Sequence, residues 1–431
     1  MTAQITQLKF DSQPPLTWPS VSLCMIVKNE AAHLADCLAS VADFAQEIII
    51  IDTGSTDDTV EIARSWGATV RHFDWIDDFA AARNESIRAA TGDWIFWMDA
   101  DDRLTSENLN RLKQATASGQ ADAYICQVAS QGLGPDQSSV VIEHMRLFRN
   151  GLGLRFEDPL HEQVAPLAKR LGLAIARTNI TITHTGYEVD RQSLQAKARR
   201  NRPIIEQCLR RAPDSLYWRY YLGVTFYALE DWSGAIINLA SVITQRCDWL
   251  NSYQIYEAHV LLIAAYKNGG CPALAQQTLQ QALLRFPKEA HLAILAGKFF
   301  LSQHKPQQAI QALIRAGKLL SEPALAAANS PDEAASLGMA WPEGTLELWL
   351  CRAYYQLGQH CYKRGDYPGM IEALTISAEL TSRPTQLGPT ERSDVYKLLA
   401  VGLQKMGREE DALFCWQAAQ TFSSEELPIK A

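Results

Sequence analysis

The sequence lacks any apolar run of the about 18–20 residues that a membrane-spanning helix needs. Its nine cysteines include no Cys-x-x-Cys pair, which argues against a zinc site or a disulfide framework. Scattered cysteines of this kind fit a reducing compartment. The first 20 residues hold one lysine and three prolines but no apolar signal segment. We therefore expect a cytoplasmic protein with no membrane span.

Basic charge and glycine-rich phosphate loops are also scarce. The net charge of −8 argues against nucleic acid as the main partner, because phosphate binding favours a basic surface. No Gly-x-Gly-x-x-Gly follows the first predicted strand, and no Gly-x-x-x-x-Gly-Lys-Ser/Thr occurs, so dinucleotide-binding and P-loop folds are excluded. A chain of 431 residues is too long for a single hydrophobic core, which predicts two or three domains. Because 47% of the residues are hydrophobic, these domains should be ordinary globular ones.

The first part of the chain alternates short apolar runs with longer helical patterns. Strands are predicted at residues 21–27, 47–51, 68–73 and 94–98, and helices at 31–41, 57–66 and 78–90. Ser55 or Thr56 is expected to cap the second helix. The unbroken run 47–51 is typical of a sheet that is covered on both faces. This alternation predicts an α/β domain with a parallel sheet and right-handed crossovers.

The second part contains only amphipathic helical stretches in pairs. Imperfect copies of a repeat of about 34 residues lie near 221–236, 258–287, 290–320, 346–380 and 394–422. This pattern predicts an all-α solenoid of tetratricopeptide (TPR) type, with a generic helical bundle as the alternative. Residues 321–344 interrupt the period and are interpreted as an insertion. The predicted segments are a tail at 1–19, the α/β domain at 20–189, a linker helix at 190–213 and the repeats at 214–431.

Polar clusters follow three of the predicted strands. Lys28 to Glu30 follow the first strand, residues 52–57, beginning with Asp52, follow the second, and the acidic stretch 99–102 follows the fourth. Ligands of open α/β sheets bind at the carboxyl ends of the strands, so these clusters predict one site at that edge. Asp99 and Asp101 are spaced to share Mg²⁺ or Mn²⁺ with a diphosphate. The alternative is that they form a polar turn or cap the helix near Ser106.

A phosphate group at this edge would also need a positive partner. The turn at Gly54 offers too few backbone donors to hold phosphates alone. Arg83, at the start of the third predicted helix, is the candidate cation, and a solvated surface arginine is the alternative.

Several motifs together resemble family two glycosyltransferases of the GT-A fold. They are residues 26–30 (IVKNE), 52–59 (DTGSTDDT), 79–84 (FAAARN), 98–101 (MDAD), 146–149 (RLFR), 160–163 (LHEQ), 184–187 (HTGY) and 198–201 (ARRN). The chain looks most like the subgroup that carries C-terminal tetratricopeptide repeats. The resemblance extends over about half of the chain.

This resemblance implies a nucleotide-sugar site. The implied nucleotide-sugar contacts are Val27, Asn29, Glu30, Asp52, Arg83, Asp99 and Ala100. It also implies that Asp101 and His184 bind Mg²⁺ or Mn²⁺, and that the donor is UDP-glucose or UDP-N-acetylglucosamine. For His184 the alternative is a core histidine satisfied by a backbone carbonyl.

The resemblance places the general base at Glu162. Glu157 and Asp158 lie just before it and remain rival bases, and a carboxylate at a helix start is the non-catalytic alternative for Glu162. A single carboxylate base on the far side of the sugar implies inversion at the anomeric carbon.

The predicted repeats allow functions that involve a second protein or peptide. Such arrays form concave surfaces that receive peptide segments, so a peptide or protein acceptor is one expectation and a homo-oligomer another. A catalytically inactive scaffold that binds nucleotide sugars is the alternative, and the intact carboxylates favour an enzyme over it. A nucleotidyltransferase ranks last, because it needs a glycine-rich basic loop near its N-terminus.

Overall fold

A computed structural model describes residues 5–7, 18–130, 140–185, 191–245, 250–321, 344–381 and 387–424. The chain divides into two compact units, residues 1–213 and 214–431. The first unit contains all the strands of the described residues and the second contains only helices, which confirms the predicted fold class. Apart from its two end residues, the predicted insertion at 321–344 lies outside the described residues. Gly186 and Tyr187 of the motif at 184–187 also lie outside them.

The first unit has nine strands and six helices among the described residues. The strands are β1 (Ile5–Gln7), β2 (Val21–Val27), β3 (Glu47–Asp52), β4 (Thr69–His72), β5 (Trp94–Trp97), β6 (Asp102–Arg103), β7 (Ala123–Ser130), β8 (Val140–Arg149) and β9 (Ile175–His184). The helices are α1 (Leu34–Val41), α2 (Thr59–Ser65), α3 (Phe79–Ala89), α4 (Ser106–Ser118), α5 (Ala165–Arg170) and α6 (Arg191–Arg211).

The strands form one mixed sheet in the order β1-β9-β7-β8-β5-β2-β3-β4, with β6 paired to β9. The pairs β2–β3, β2–β5 and β3–β4 are parallel, as predicted. Beyond β5 the sheet is mixed and the prediction of a purely parallel sheet is wrong, because β8 pairs antiparallel with β5 and β7, although β9 is parallel to β7 and β1. Residues 5–7, predicted to belong to a tail, form β1 beside β9.

Helices cover both faces of this sheet. Buried side chains of α1 and α4 pack on one face, against residues such as Leu23 and Phe96. Buried side chains of α3 and α5 pack on the other face, against residues such as Ile49 and Ile95. Because both faces are covered, the central strands can be apolar at successive positions, and this is the reason for the unbroken run in β3.

The helix starts differ from the predictions by a few residues. The N-cap of α2 is Asp58 rather than Ser55 or Thr56. Those two residues are engaged elsewhere, since Ser55 Oγ accepts a hydrogen bond from the backbone N–H of Asn29 and Thr56 donates to the Asn29 side chain. The start of α3 is capped by Asp78, which accepts from the backbone N–H of Ala81.

The second unit contains ten helices in its described residues. They are α7 (Leu216–Ala228), α8 (Trp232–Thr244), α9 (Ser252–Asn268), α10 (Pro272–Arg285), α11 (Ala290–Ser302), α12 (Pro306–Ser321), α13 (Thr345–Lys363), α14 (Tyr367–Thr381), α15 (Pro389–Lys405) and α16 (Glu409–Ser424). Consecutive helices pack as five hairpins, which confirms the five predicted repeats. We call α7, α9, α11, α13 and α15 the first helices. They contact one another directly in the pairs α7–α9, α11–α13 and α13–α15.

Candidate functional site

The loops that follow β2 and β3 are bound to each other at the carboxyl edge of the sheet. Asn29 has a left-handed backbone conformation, with φ of 57°. Its side-chain oxygen accepts a hydrogen bond of 2.7 Å from the backbone N–H of Thr56. The backbone N–H of Glu30 donates to Thr59 Oγ1 at 2.7 Å. These bonds bring the predicted nucleotide contacts Asn29 and Glu30 beside the end of β3, where Asp52 lies.

Asp52 is buried at the end of β3, and Val27, at the end of β2, is its partner in the strand pair. Its carboxylate accepts hydrogen bonds from the backbone N–H groups of Gly54 and Ser55 at 3.2 and 3.0 Å. Burial raises the pKa of Asp52, but the hydrogen bonds from Ser55 and Gly54 outweigh it and hold the pKa below its usual value. The side chain is therefore a fixed carboxylate.

Arg83 connects two predicted site residues that are far apart in sequence. Its Nη2 donates to Asp99 Oδ1 at 2.6 Å, and its Nε donates to Glu162 Oε1 at 2.7 Å. The guanidinium carbon lies 4.4 Å from the centroid of the Trp97 ring. Arg83 is buried, so the alternative of a solvated surface arginine is wrong. Burial raises the pKa of Asp99, but Arg83 and Arg146 outweigh it, and the net pKa is well below its usual value.

Asp102 is completely buried and forms the centre of the acidic loop. Its Oδ2 accepts from the backbone N–H of Asp99 at 2.9 Å and lies 3.0 Å from Nη1 of Arg146. Its Oδ1 lies 2.9 Å from Nδ1 of His184. The short strand β6 makes this possible, because it pairs Asp102 directly with His184 of β9. The acidic loop therefore forms an ionic network and does not cap α4, whose N-cap is Thr105.

His184 also lies close to Asp101. Its Nδ1 is 3.3 Å from Asp101 Oδ1, and the backbone oxygen of Asp101 accepts from both the N–H and the hydroxyl of Thr185 at 2.9 Å. Burial lowers the pKa of His184, but Asp102 and Asp101 outweigh it and raise the pKa above its usual value. Burial and the neighbouring carboxylates of Asp99 and Asp102 raise the pKa of Asp101, although His184 opposes them. The alternative for His184, a core histidine satisfied by a backbone carbonyl, does not fit, because its Nδ1 lies beside two carboxylates.

The site offers ligands that suit a divalent cation. Ligand atoms of Asp99, Asp102 and His184 lie within 4.8 Å of one another, and Asp101 lies beside them. Asp99, Asp101, Asp102 and Glu162 are four carboxylates, whereas Arg83, Arg146 and a protonated His184 supply three positive charges, so the cluster keeps excess negative charge. Carboxylate oxygens with one imidazole are a donor set that Mg²⁺ and Mn²⁺ accept. The residues therefore fit a metal ion, and Asp102 is a member that was not predicted.

The three rival carboxylates before residue 163 have different surroundings. Glu157 lies 2.5 Å from Nη2 of Arg170. Asp158 has φ of 71°, and burial and the nearby Glu157 raise its pKa. In contrast, the Glu162 side chain is 12% exposed and is bound to Arg83. Among these three, Glu162 is the carboxylate that joins the network of the acidic loop.

Arg146 is the main site residue that sequence reasoning did not assign. Its side chain is 3% exposed, and its guanidinium lies against both Asp99 and Asp102. The sequence does hold a signal, since an arginine interrupts the buried run from Met145 to Phe148. An arginine in a buried strand needs carboxylate partners, and the acidic loop supplies them.

The α/β unit thus carries an acidic network at the carboxyl edge of its sheet. Residues 22–177 match the model of glycosyl transferase family 2. Residues 22–177 of the first unit are therefore a glycosyltransferase family 2 domain.

Curated relatives match about half of the chain. The chain is 41% identical over 209 residues to a TPR repeat-containing protein of Synechococcus elongatus, covering 47% of this chain and 51% of that protein. It is 28% identical over 246 residues to the SPbeta prophage-derived glycosyltransferase SunS of Bacillus subtilis, covering 57% of this chain and 58% of that protein. The chain thus spans little more than half the length of these relatives.

Solved structures are similar to each half only distantly. A crystal structure of MamA is 17% identical, covers 50% of this chain and 96% of its own, and has a TM-score of 0.34. Glucosyl-3-phosphoglycerate synthase from Mycobacterium tuberculosis is 19% identical, covers 45% of this chain and 80% of its own, and also has a TM-score of 0.34. Across the described residues, no helix has the length and apolarity that a membrane span requires.

Proposed function

We propose that this chain is a metal-dependent, inverting glycosyltransferase that moves a sugar from a UDP-sugar to an acceptor. The observation that supports this most directly is a continuous ionic network. It runs from Glu162 through Arg83 to Asp99, and from there through Arg146 to Asp102 and His184. It brings a base candidate and a set of metal ligands to one edge of a family 2 domain. UDP-glucose or UDP-N-acetylglucosamine is the proposed donor.

The donor nucleotide is assigned to the ends of β2 and β3. Asn29, Glu30 and Asp52 would line the base and ribose, with the backbone of Val27 and Ala100 beside them. Asp101 and His184 would hold Mg²⁺ or Mn²⁺, which stabilises the negative charge of the departing diphosphate.

One guanidinium nitrogen of Arg83 is left for a bound substrate. Its Nη1 is buried and has no hydrogen-bond partner among the described residues, whereas Nε and Nη2 are used by Glu162 and Asp99. A buried N–H without a partner costs free energy, so an oxygen of the donor is its natural acceptor. The positive charge of Arg83 is already balanced by the carboxylates of Asp99 and Glu162.

A second cation is therefore proposed for the leaving diphosphate. Arg200 of α6 is exposed, its guanidinium carbon lies 5.1 Å from the centroid of the Phe79 ring, and it is close enough to Glu162 to interact electrostatically.

In the proposed reaction Glu162 takes the proton of the acceptor hydroxyl. The hydroxyl oxygen bonds to the anomeric carbon as the bond from that carbon to the diphosphate oxygen breaks, and UDP leaves. A positioned base of this kind accelerates transfer by about 10²–10⁴-fold. The acceptor is proposed to be a peptide or protein segment held by the repeats.

Release of UDP from a panel of UDP-sugars tests the proposal. The wild type is expected to hydrolyse one donor slowly with Mn²⁺ or Mg²⁺, and chelation or Asp101→Ala should abolish this. Asp93→Ala is the control, because Asp93 is an exposed aspartate just before β5 that binds Ser20. Absence of hydrolysis together with absence of UDP binding by calorimetry would contradict the proposal and favour a non-catalytic scaffold.

A further inference from the structure

The strand β8 contains an irregularity at the position of Arg146. In its pairing with β7, Leu147 lies opposite Tyr124 and Met145 lies opposite Ile125, so Arg146 is an extra residue without a partner in the ladder. Such bulges redirect side chains and are common beside active sites. The consequence is visible in the packing, because Met145 and Phe148 belong to the same core cluster although they are three residues apart.

The bulge determines which residues of β8 face the same side of the sheet. Side chains of a regular strand alternate between faces, so Met145 and Phe148 would lie on opposite faces. The extra residue restores both to one core and leaves Arg146 to reach the acidic loop. Its Nη1 lies 3.0 Å from Asp102 Oδ2 and its Nη2 lies 3.4 Å from Asp99 Oδ2.

The ring of Trp97 packs against the guanidinium of Arg146. The Arg146 guanidinium carbon lies 3.7 Å from the centroid of the Trp97 ring. Trp97 is itself fixed, since its Nε1 donates at 2.7 Å to the backbone oxygen of Met145, the residue before the bulge. The planar guanidinium thus stacks on an aromatic ring while its N–H groups face two carboxylates. Arginine can make both contacts, whereas lysine cannot.

We propose that Arg146 is a positioning residue that holds the carboxylates of Asp99 and Asp102 and, through Asp102, the imidazole of His184 in the arrangement that binds the divalent cation. This inference rests on the metal dependence of the proposed function. Arg146 touches no reacting atom in this assignment. Its effect reaches the metal through Asp102, whose Oδ1 is 2.9 Å from His184 Nδ1.

The same strand supplies a matched control. Arg149 also pairs with an aspartate, Asp122, at 3.7 Å, and its guanidinium carbon lies 4.7 Å from the centroid of the Trp94 ring. Asp122, however, bonds to the backbone N–H of Ala174 rather than to the acidic loop. Arg149→Lys therefore replaces an arginine that also contacts an aspartate and an aromatic ring, but at a place outside the acidic loop.

The test is the affinity of the full chain for Mn²⁺ alone, measured by the electron paramagnetic resonance of free Mn²⁺. Arg146→Lys keeps the charge but loses the fork, so Mn²⁺ should bind about 10–100-fold more weakly, as is typical when partners of metal ligands are changed. Arg149→Lys should keep the wild-type affinity. Circular dichroism and thermal unfolding of both variants identify any general loss of structure.

The outcomes separate this inference from the proposed function. A folded Arg146→Lys variant with wild-type Mn²⁺ affinity, or a wild type that binds no Mn²⁺, would overturn the inference. Arg149→Lys weakening Mn²⁺ as strongly as Arg146→Lys would overturn it as well. Weakened Mn²⁺ binding in Arg146→Lys alone, in a protein that transfers no sugar, would support the inference and contradict the proposed function.

Discussion

At the scale of residues, the choice of base depends on which carboxylate is joined to the acidic loop. Glu162 shares Arg83 with Asp99, so its position is fixed relative to the proposed metal ligands. Glu157 is instead bound to Arg170, and it forms an isolated β-bridge with Gln163. The two carboxylates therefore belong to different ionic groups although they are five residues apart.

We predict that Glu162→Gln lowers the rate of transfer by about 10²–10⁴-fold, because the amide cannot take the hydroxyl proton. Its carbonyl can still accept from Arg83 Nε, so the affinity for the UDP-sugar should change little. Steady-state transfer and donor calorimetry measure the two effects. Glu157→Gln is the control and should retain activity. Loss of activity in Glu157→Gln or Asp158→Asn, with Glu162→Gln still active, would refute the assignment.

The sequence predicted the acidic side of this site better than its basic side. Asp99 follows an apolar strand directly, so its place at the edge of the sheet is a local property. One partner of Arg83, Glu162, lies in a loop 79 residues later, and nothing in the local pattern indicates that contact. The burial of Asp102 depends on β6 pairing with β9, a contact across more than 80 residues. Roles set by such distant pairing were not accessible from the pattern alone.

At the scale of elements, glycines let paired helices of the second unit approach closely. Gly223, Gly297 and Gly358 lie on first helices, and an added Cβ would lie 2.5–2.6 Å from Cγ of the leucine sixteen residues later on the next helix. The three leucines are Leu239, Leu313 and Leu374. Each contact is between helices of one hairpin, so the glycines set the hairpin spacing.

Gly297→Ala is expected to destabilise the second unit. Alanine favours a helix by about 1 kcal/mol over glycine, but overpacking against Leu313 costs about 1–3 kcal/mol. The net expectation is a lower free energy of unfolding, measured by chemical denaturation and by faster hydrogen exchange in α11 and α12. Gly317→Ala is the control, because its Cβ would meet only the end of the Leu346 side chain at 3.1 Å. Equal or greater stability of Gly297→Ala would contradict this account.

Strand prediction succeeded where the pattern was local. Runs of buried residues in β2, β3 and β5 are continuous because helices cover both faces of the sheet. No prediction was made for β7, β8 and β9, and the mixed sheet was missed with them. Antiparallel pairing of β8 with both β5 and β7 depends on distant partners. The bulge at Arg146 could not be located for the same reason, since register is a property of two strands.

At the scale of the whole molecule, the chain joins a transferase domain to repeats that carry cations of their own. Lys298 of α11 lies 4.7 Å from the centroid of the Trp349 ring, and the Arg352 guanidinium carbon of α13 lies 4.9 Å from it. Burial lowers the pKa of Lys298, and Lys267 and Arg352 lower it further. Lys298, Arg352 and the Trp349 ring together form a cationic aromatic surface on the first helices, so we expect an acceptor that is held by the repeats to present an acidic group here.

Lys298→Gln is therefore predicted to weaken acceptor binding without affecting the donor. Loss of a charged hydrogen bond costs about 1.5–3 kcal/mol, which corresponds to a rise of about tenfold or more in the KM for a polypeptide acceptor. Hydrolysis of the UDP-sugar without acceptor should keep its wild-type rate, because that reaction needs only the first unit. Lys397→Gln is the control, since Lys397 is an exposed lysine of α15 that pairs with Asp394 at 3.6 Å. An unchanged acceptor KM in Lys298→Gln, or an equal rise in Lys397→Gln, would mean that this cationic surface does not hold the acceptor. A parallel fall in donor hydrolysis would instead show that the substitution acts on the transferase domain, and the division of labour between the two units would have to be abandoned.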